Sequence, residues 1–321
     1  MKNRKKVFIL TEVILAVLVV LVAFLMIQVK TGKAADKISI IVQNADDGQW
    51  AAFKYGVKMA AMDQNVETFV VSTGAVLTEE EQQKLIKQEI ESGADAVIVQ
   101  PAFGESPDET SGKVKSKVPA ILVESAASST DKLSVVEPDH YAMGKDLAEE
   151  LLRDYNGNVE GKTLGIVSET DDSQGAIQRR AGFWDTLKAE GMELCWSLNI
   201  SGAKNRENLM TAQTTVDVVA ALDDSSLTLA GKCSLENNLH GSVVYGIGNS
   251  TDGVYYLENS AVECLVVPDE FMMGYESVTE IAEHLKNPFR KMESKTVSHS
   301  ILRKDRLFSE ENQELLYSMS Q

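Results

Sequence analysis

The side chains that most often carry out catalysis occur in this sequence, but their spacing assembles no catalytic or metal site. Cys195, Cys233 and Cys264 form no CxxC pair and have no histidine at zinc-ligand spacing. The four histidines are far apart, and we expect solvent-facing or hinge positions for them. No Gly-x-Ser-x-Gly or Walker sequence occurs, and the glycine pattern that begins at Gly246 is wrongly spaced for a dinucleotide loop. We therefore predict neither an enzyme nor a bound cofactor or metal.

Charged side chains at two places in the second half of the chain have the chemistry to bind a small molecule by contact. Arg179 offers a rigid guanidinium fork that donates to two ligand oxygens, a geometry that lysine does not provide. The alternative is an arginine on the solvated face of a helix, which is our interpretation of its neighbour Arg180. Asp223 and Asp224 end a predicted buried strand, where two charges are costly unless something pairs with them.

In the first half, the candidates follow predicted strands. An acidic pair that ends in Asp47 lies at a strand–helix junction, where carboxylates accept hydroxyl groups or simply cap the helix. Trp50 offers the largest ring face for contact with C–H groups, or is the first core residue of its helix. Gln100, Glu124 and Ser125 end two further predicted strands and are weaker candidates.

The elements that position these residues are short apolar runs that alternate with helical patterns from Lys37 onward. Strands are predicted at 38–42, 68–71, 96–99, 119–123, 163–167, 193–200, 217–222, 242–247 and 263–267. Helices are predicted from Thr78, which begins a capping box, and at 141–155, 174–190, 271–285 and 309–319. Strands that are apolar throughout are typical of parallel sheets covered on both faces. Because the pattern restarts after Asp139, we predict an α/β fold of two doubly wound parallel-sheet lobes, with ligands at the carboxyl ends of the strands.

The net charge of −17 argues against a nucleic-acid partner, which would require a basic face. The exception to this acidity is residues 1–33, which hold six basic residues against the single acid Glu12. Between the basic clusters, Val13–Ile27 is unbroken apolar sequence, and Val7–Val29 is long enough for one helical membrane span. We predict a single-pass membrane protein with a cytoplasmic N-terminus and an extracytoplasmic remainder. A cleaved signal peptide, ending near Gly32-Lys33-Ala34, is the alternative.

Several segments occur in a fixed order along the chain. They are Asp46-Asp-Gly-Gln-Trp50, Gly93-Ala-Asp-Ala-Val-Ile-Val-Gln-Pro101, Val118-Pro-Ala-Ile-Leu-Val-Glu124, Asp139 with Gly144, Arg179-Arg-Ala-Gly-Phe183, Asp217-Val-Val-Ala-Ala-Leu-Asp-Asp224 and Met273-Gly274. In this order they resemble the type I periplasmic binding proteins, the superfamily of ribose-binding proteins and the ligand domains of LacI-type repressors. The resemblance extends from Lys37 to the C-terminus. The acidic composition and the lack of an N-terminal helix-turn-helix exclude the repressor branch.

The resemblance implies two lobes that exchange chain segments through a multi-strand hinge. The expected division is 1–36 for the N-terminal stub and anchor, 37–138 plus about 271–293 for the first lobe, and 139–270 plus about 294–321 for the second. It also implies that Trp50 stacks on a sugar ring, that Asp47 is the better aligned acid, and that Asp223 stands where the family commonly has a ligand-facing Asn.

Two departures from the family pattern affect the ligand prediction. The strand-ending Gly-Phe-Asp of the family appears as Gly246-Ile247-Gly248-Asn249, so Asn249 would have to substitute for the missing acid. A late family Gln aligns with Pro268, which leaves Asp269 as the nearest polar group. A monosaccharide becomes less secure as the ligand, and an amino-sugar, a peptide-like signal or a cationic solute remains open.

The expected function is therefore solute capture. We expect an extracytoplasmic solute-binding protein whose two lobes close on a small carbohydrate-like ligand for delivery to an ABC importer, whose permease would be its membrane partner. The alternative is a membrane-tethered ligand sensor that reports to a histidine kinase.

Overall fold

The computed structural model describes residues 15–19, 35–45, 48–71, 73, 78–101, 118–124, 133–169 and 173–321. Residues 36–321 form one compact unit. The predicted membrane span falls on residues 7–29, of which 15–19 are described and are helical. No helix in the described part of the chain has the length and apolarity needed to cross a membrane. The remainder of the predicted span lies outside the described residues, so the anchor stays a prediction.

The first sheet consists of six parallel strands: β1 (Lys37–Ile41), β2 (Glu67–Val71), β3 (Ala96–Val99), β4 (Ala120–Val123), β5 (Ser134–Pro138) and β11 (Lys295–Val297). They lie in the order β11-β5-β4-β3-β1-β2. The order reverses between β1 and β3, which is the point of a doubly wound sheet where ligands bind. Every residue of β3 and β4 is buried, as the apolar runs predicted.

The second sheet repeats this arrangement with β6 (Thr163–Ser168), β7 (Glu193–Asn199), β8 (Val218–Ala221), β9 (Val243–Ile247), β10 (Cys264–Pro268) and β12 (His299–Leu302). The order is β12-β10-β9-β8-β6-β7. The prediction of a parallel sheet needs one correction, because β12 is antiparallel to β10. The chain leaves the second sheet at the carboxyl end of β10 and returns at the same end through β12, so the two strands run in opposite directions.

The helices in the described part of the compact unit are α1 (Ala51–Gln64), α2 (Glu79–Glu91), α3 (His140–Asp154), α4 (Gln174–Leu187), α5 (Arg206–Thr211), α6 (Asp224–Leu235), α7 (Thr251–Glu258), α8 (Glu270–Lys286) and α9 (Gln313–Met319). The capping box at Thr78 is confirmed, since Thr78 and Glu81 each accept the other's backbone N–H. Two predicted helices are shorter than expected, because 3-10 turns at Lys188–Glu190 and Glu310–Asn312 replace the end of α4 and the start of α9.

The chain crosses between the sheets three times: from β5 to α3, from β10 to α8, and from β11 to β12. Helix α8 packs on α1, β4 and β5, whereas α3 packs on α4, β9 and β10. We predicted the last return to the second lobe at about residue 294. Since Lys295–Val297 pairs with the first sheet, the hydrogen bonds place that return at Ser298.

In each lobe, two helices cross at a pair of glycines. Helices α1 and α8 meet at Gly56 and Gly274, where an added Cβ would lie 2.0 Å from the carbonyl oxygen of Phe271 and 2.2 Å from that of Phe53. Helices α3 and α4 meet at Gly144 and Gly182, with corresponding distances of 1.9 Å and 2.1 Å to backbone carbonyl oxygens. Only glycine allows two helix backbones to approach this closely. The crossings therefore fix where the first residues of these helices lie.

Candidate functional site

A cavity of about 470 Å³, its open mouth included, lies between the two lobes. Its lining follows the carboxyl ends of strands in both sheets and comprises Gln49, Trp50, Gln100, Glu124, Met143, Arg179, Asp223, Asp224, Ile247, Gly248, Asn249, Pro268 and Glu270. Four of these residues are acids and one is basic. The lining has polar groups for hydrogen bonding and apolar surfaces for C–H contact.

Arg179 projects from α4 into this cavity with only 12% of its side chain exposed. Its Nη1 lies 3.0 Å from Nδ1 of His140 and 3.8 Å from Oε2 of Glu124 in the opposite lobe. Its Nε is buried and has no hydrogen-bond partner among the described residues. Arg179 therefore lines the cavity and keeps one buried donor unused, which the alternative of a solvated surface arginine does not explain.

His140 contacts the guanidinium of Arg179. His140 is 1% exposed at the start of α3, where the chain first crosses between the lobes, so it takes the hinge position of the two that we expected for the histidines. Burial, and then the positive charge of Arg179, lower the pKa of His140 well below its usual value of 6.5. The neutral ring can then accept a hydrogen bond from Arg179 at Nδ1, which places its proton on the unpartnered Nε2.

Glu124 follows β4 in a left-handed backbone conformation, with φ of 52°. Residues with side chains rarely adopt this conformation, and it costs about 1–3 kcal/mol where it persists. The bend turns the carboxylate toward Arg179 across the cleft. Burial raises the pKa of Glu124, and the charge of Arg179 opposes that rise.

Glu270 is a site residue that sequence reasoning missed. It is the first residue of α8, is 4% exposed, and lines the cavity with an Oε2 that has no partner among the described residues. Burial, reinforced by the charge of Glu124, raises the pKa of Glu270 well above its usual 4.5. We predicted its neighbour Asp269 instead. Asp269 does not line the cavity; it caps α8 by accepting the backbone N–H of Met272 at 3.0 Å.

Trp50 and Gln100 line the cavity while also serving the structure. The Trp50 indole is 4% exposed, donates through Nε1 to the carbonyl of Gln43 at 2.8 Å, and packs edge-on against Phe53. It is thus a core residue that also lines the cavity, and its contact with a ligand stays a prediction. The Gln100 side chain accepts the backbone N–H of Gln43 at 2.9 Å, which ties together the ends of β1 and β3.

Asp223 and Asp224 are paired with backbone groups, which resolves the cost of two charges at the end of β8. Asp223 caps α6 by accepting the backbone N–H of Ser226, and its second oxygen accepts that of Glu169 at 2.7 Å. Asp224 Oδ1 accepts the backbone N–H groups of Asn249 and Ser250. Burial raises the pKa of both carboxyls, and these hydrogen bonds oppose the rise.

Asn249 lies at the end of the cavity that joins the lobes. Its Nδ2 donates to the backbone carbonyl of Gln49 in the first lobe at 2.8 Å. Gln49 and Asn249 therefore connect the two lobes across the cleft. Glu124 and Arg179 face each other across the same cleft. Of the remaining predicted site residues, Asp47 and Ser125 lie outside the described residues.

The comparisons with known proteins agree with this architecture. A carbohydrate transporter solute-binding protein from Agrobacterium radiobacter, solved with D-arabinose, superposes with a TM-score of 0.78 at 20% identity, over 88% of this chain and 99% of that one. GanP, a glucose-galactose binding protein from Geobacillus stearothermophilus, gives 0.71 at 17% identity, over 86% and 100%. A XylFII–LytSN complex gives 0.73 at 14% identity, over 85% and 99%. At these identities the likeness shows the fold.

The sequence comparisons identify the family. A search of curated proteins finds no match. The model of the periplasmic binding protein domain family, however, matches residues 38–288. These residues span both lobes and the ends of the three strands after which the acidic side chains of the cavity lie. The resemblance to the type I binding proteins is thereby confirmed. This chain belongs to the periplasmic binding protein domain family.

Proposed function

We propose that this protein captures a small carbohydrate-like solute between its two lobes, outside the cytoplasm, for delivery to an ABC importer. The observation that carries the proposal is the cavity shared by both lobes, which Arg179 lines from one lobe and the carboxylates of Glu124 and Glu270 line from the other. A ligand that contacts both lobes at once stabilises the closed arrangement, because those contacts exist together only when the lobes meet.

The chemistry of the lining supports a polar ligand with C–H faces. Carboxylate and amide groups accept and donate to hydroxyls, while the apolar side chains of Trp50 and Ile247 in the cavity lining suit the C–H groups of a sugar. Two of the structural neighbours point the same way, since one was solved with D-arabinose and another is described as a glucose-galactose binding protein.

A sensor role is the second candidate. One neighbour of the same fold was solved as a complex of XylFII with LytSN, so a protein with this architecture assembles with a protein partner. By that route our protein would report the bound ligand to a histidine kinase. Deletion of the companion permease, followed by a test of whether ligand still induces gene expression, separates the two roles.

An N-terminal anchor is part of the proposal. The apolar run Val13–Ile27, with basic residues on both sides, supports a single membrane span with the lobes outside. Extraction of membranes with alkaline carbonate tests it: an anchored chain stays in the pellet at full length, and a cleaved one appears in the soluble fraction with a new N-terminus.

The test of ligand binding is a thermal-shift screen of the full chain, in mild detergent, against neutral and amino sugars, polyols, amino acids and nucleosides. A ligand at 100 times its Kd adds about 2.7 kcal/mol to the free energy of unfolding. Calorimetry on Arg179→Lys should then show binding to the hit at least about tenfold weaker, because lysine lacks the fork. Arg180→Lys, the same change on the next residue, should bind normally. No sugar or polyol hit, or an Arg179→Lys variant that binds normally, would contradict the proposal.

A further inference from the structure

The acidic groups of the cavity are unequally compensated. Asp223 and Asp224 accept backbone N–H groups, and Glu124 faces Arg179 at 3.8 Å. Glu270 has no such partner, since its Oε2 is buried and unbonded among the described residues. A carboxylate that is desolvated without a partner is costly, so the described lining of the cavity is one positive charge short at this place.

From this imbalance we propose that the ligand is a sugar or polyol that carries an amino group, and that Glu270 binds its ammonium group. This deepens the proposed function and rests on it. The ammonium supplies up to three donors together with the missing charge, whereas a neutral hydroxyl supplies one donor and leaves the charge uncompensated. Glu124, the second carboxylate, adds to the excess of negative charge, because its charge repels that of Glu270.

Two other occupants fit the described residues less well. A divalent cation would need several ligands around one point, and no group of three or more His, Cys, Asp or Glu side chains in the described part of the chain is arranged to hold one. A purely apolar cation would not use the donor of Arg179 or the amide of Asn249, both of which line the cavity. An amino sugar uses the charge, the donors and the C–H surfaces together.

Calorimetry with the full chain in mild detergent at neutral pH tests the inference. The probes are matched sets: glucosamine, galactosamine and mannosamine, each with its parent hexose and its N-acetyl derivative, and glucamine with sorbitol. We expect at least one amine to bind about tenfold or more tightly than its neutral partner, since a charge-assisted bond exceeds a neutral one by roughly that factor. N-acetylation, which removes the charge, should abolish the difference.

Two variants assign the preference to Glu270. Glu270→Gln keeps the shape and hydrogen-bonding capacity, and should reduce the ratio of amine to neutral affinity at least about tenfold. Glu276→Gln makes the same change of charge on the same helix away from the cavity lining and should leave the ratio unchanged. Equal reduction by both variants would overturn the assignment.

The outcomes also separate this inference from the proposed function. Neutral sugars that bind as well as or better than the amines in every set would overturn the amino-group inference and leave solute capture supported. No binding by any amine or neutral compound would overturn both.

Discussion

At the scale of single residues, the main feature of the site is that its charged side chains are buried. Glu270, Glu124 and Arg179 are held where water has limited access, and among the described lining residues only Arg179 carries a positive charge. Each acid therefore gains a proton more readily than it would in water, because burial penalises the charged form. The empty site can reduce its excess of negative charge by taking up a proton. A bound cation would replace that proton.

This proton uptake predicts a pH dependence of stability. Glu270 has a folded pKa well above its usual 4.5, so over the pH range between the two values the folded state binds more protons than the unfolded state. The free energy of unfolding then falls as pH rises through that range. We expect the thermal midpoint of the unliganded full chain, measured relative to Glu270→Gln from about pH 5 to about pH 8, to decrease with rising pH.

The comparison with Glu270→Gln is needed because His140 acts in the opposite sense. Its pKa is lowered in the folded state, so its contribution to stability is lost as pH falls below 6.5, and both proteins share it. Midpoints of the two proteins that run parallel over the whole range would show that Glu270 is ionised in the empty cavity.

At the scale of elements, the glycine crossings connect the family pattern to the site. Gly144 and Gly182 lie in two of the segments that carry the resemblance, and Gly56 and Gly274 form the equivalent crossing in the first lobe. The α3–α4 crossing holds the backbone of Arg179 against α3, beside the ring of His140. A change in the distance between these helices would therefore move the guanidinium.

We predict that Gly144→Ala reduces both stability and binding. The added Cβ would lie 1.9 Å from the carbonyl oxygen of Arg179, which is backbone and cannot rotate away. Overpacking of this kind costs about 1–3 kcal/mol. Urea denaturation and calorimetry with the ligand identified by screening measure the two effects.

Lys145→Ala is the control for this crossing, because Lys145 is the next residue and faces solvent. A surface change of this kind is expected to stay within about 0.5 kcal/mol and to leave the affinity unaltered. Wild-type affinity in a destabilised Gly144→Ala protein would show that the crossing supports the lobe without positioning Arg179.

At the scale of the whole molecule, the described fold was predictable where sequence patterns are local. Strands such as β3 and β8 are apolar throughout, so their burial and parallel pairing follow from their own residues. Helix α6 was not predicted, because it is buried on several sides and shows no amphipathic period. Strand β5 was also missed, since only three of its five residues are buried and it pairs with β4 on one side and, about 160 positions away, with β11 on the other.

The site divides in the same way. Arg179 was predictable from a motif and from the chemistry of its side chain. The choice between Asp269 and Glu270 was not, because it depends on which residue caps α8, and therefore on where the helix begins. One position along the chain decides whether a carboxylate accepts a backbone N–H or faces the cavity.

Two polar contacts between described residues join the lobes across the cavity, and α9 also packs against α1. The Asn249 amide donates to the Gln49 carbonyl, and Arg179 faces Glu124. Hydrogen bonds of this kind contribute about 0.5–1.5 kcal/mol each. Under the proposed function the ligand binds the closed arrangement, so the measured affinity would scale with the population of that arrangement in the unliganded protein.

We therefore predict that Asn249→Ala shifts the unliganded protein toward the open arrangement and weakens ligand binding by a similar factor, roughly 2- to 13-fold. Fluorescence energy transfer between dyes on cysteines introduced at Lys87 in the first lobe and Lys188 in the second, with the exposed Cys195 changed to Ser, measures the separation. Asn259→Ala is the matched control, because it removes an amide bond to a carbonyl within one lobe, that of Tyr255. Weaker binding with unchanged energy transfer would mean that Asn249 contacts the ligand directly, and that closure does not depend on its bond to Gln49.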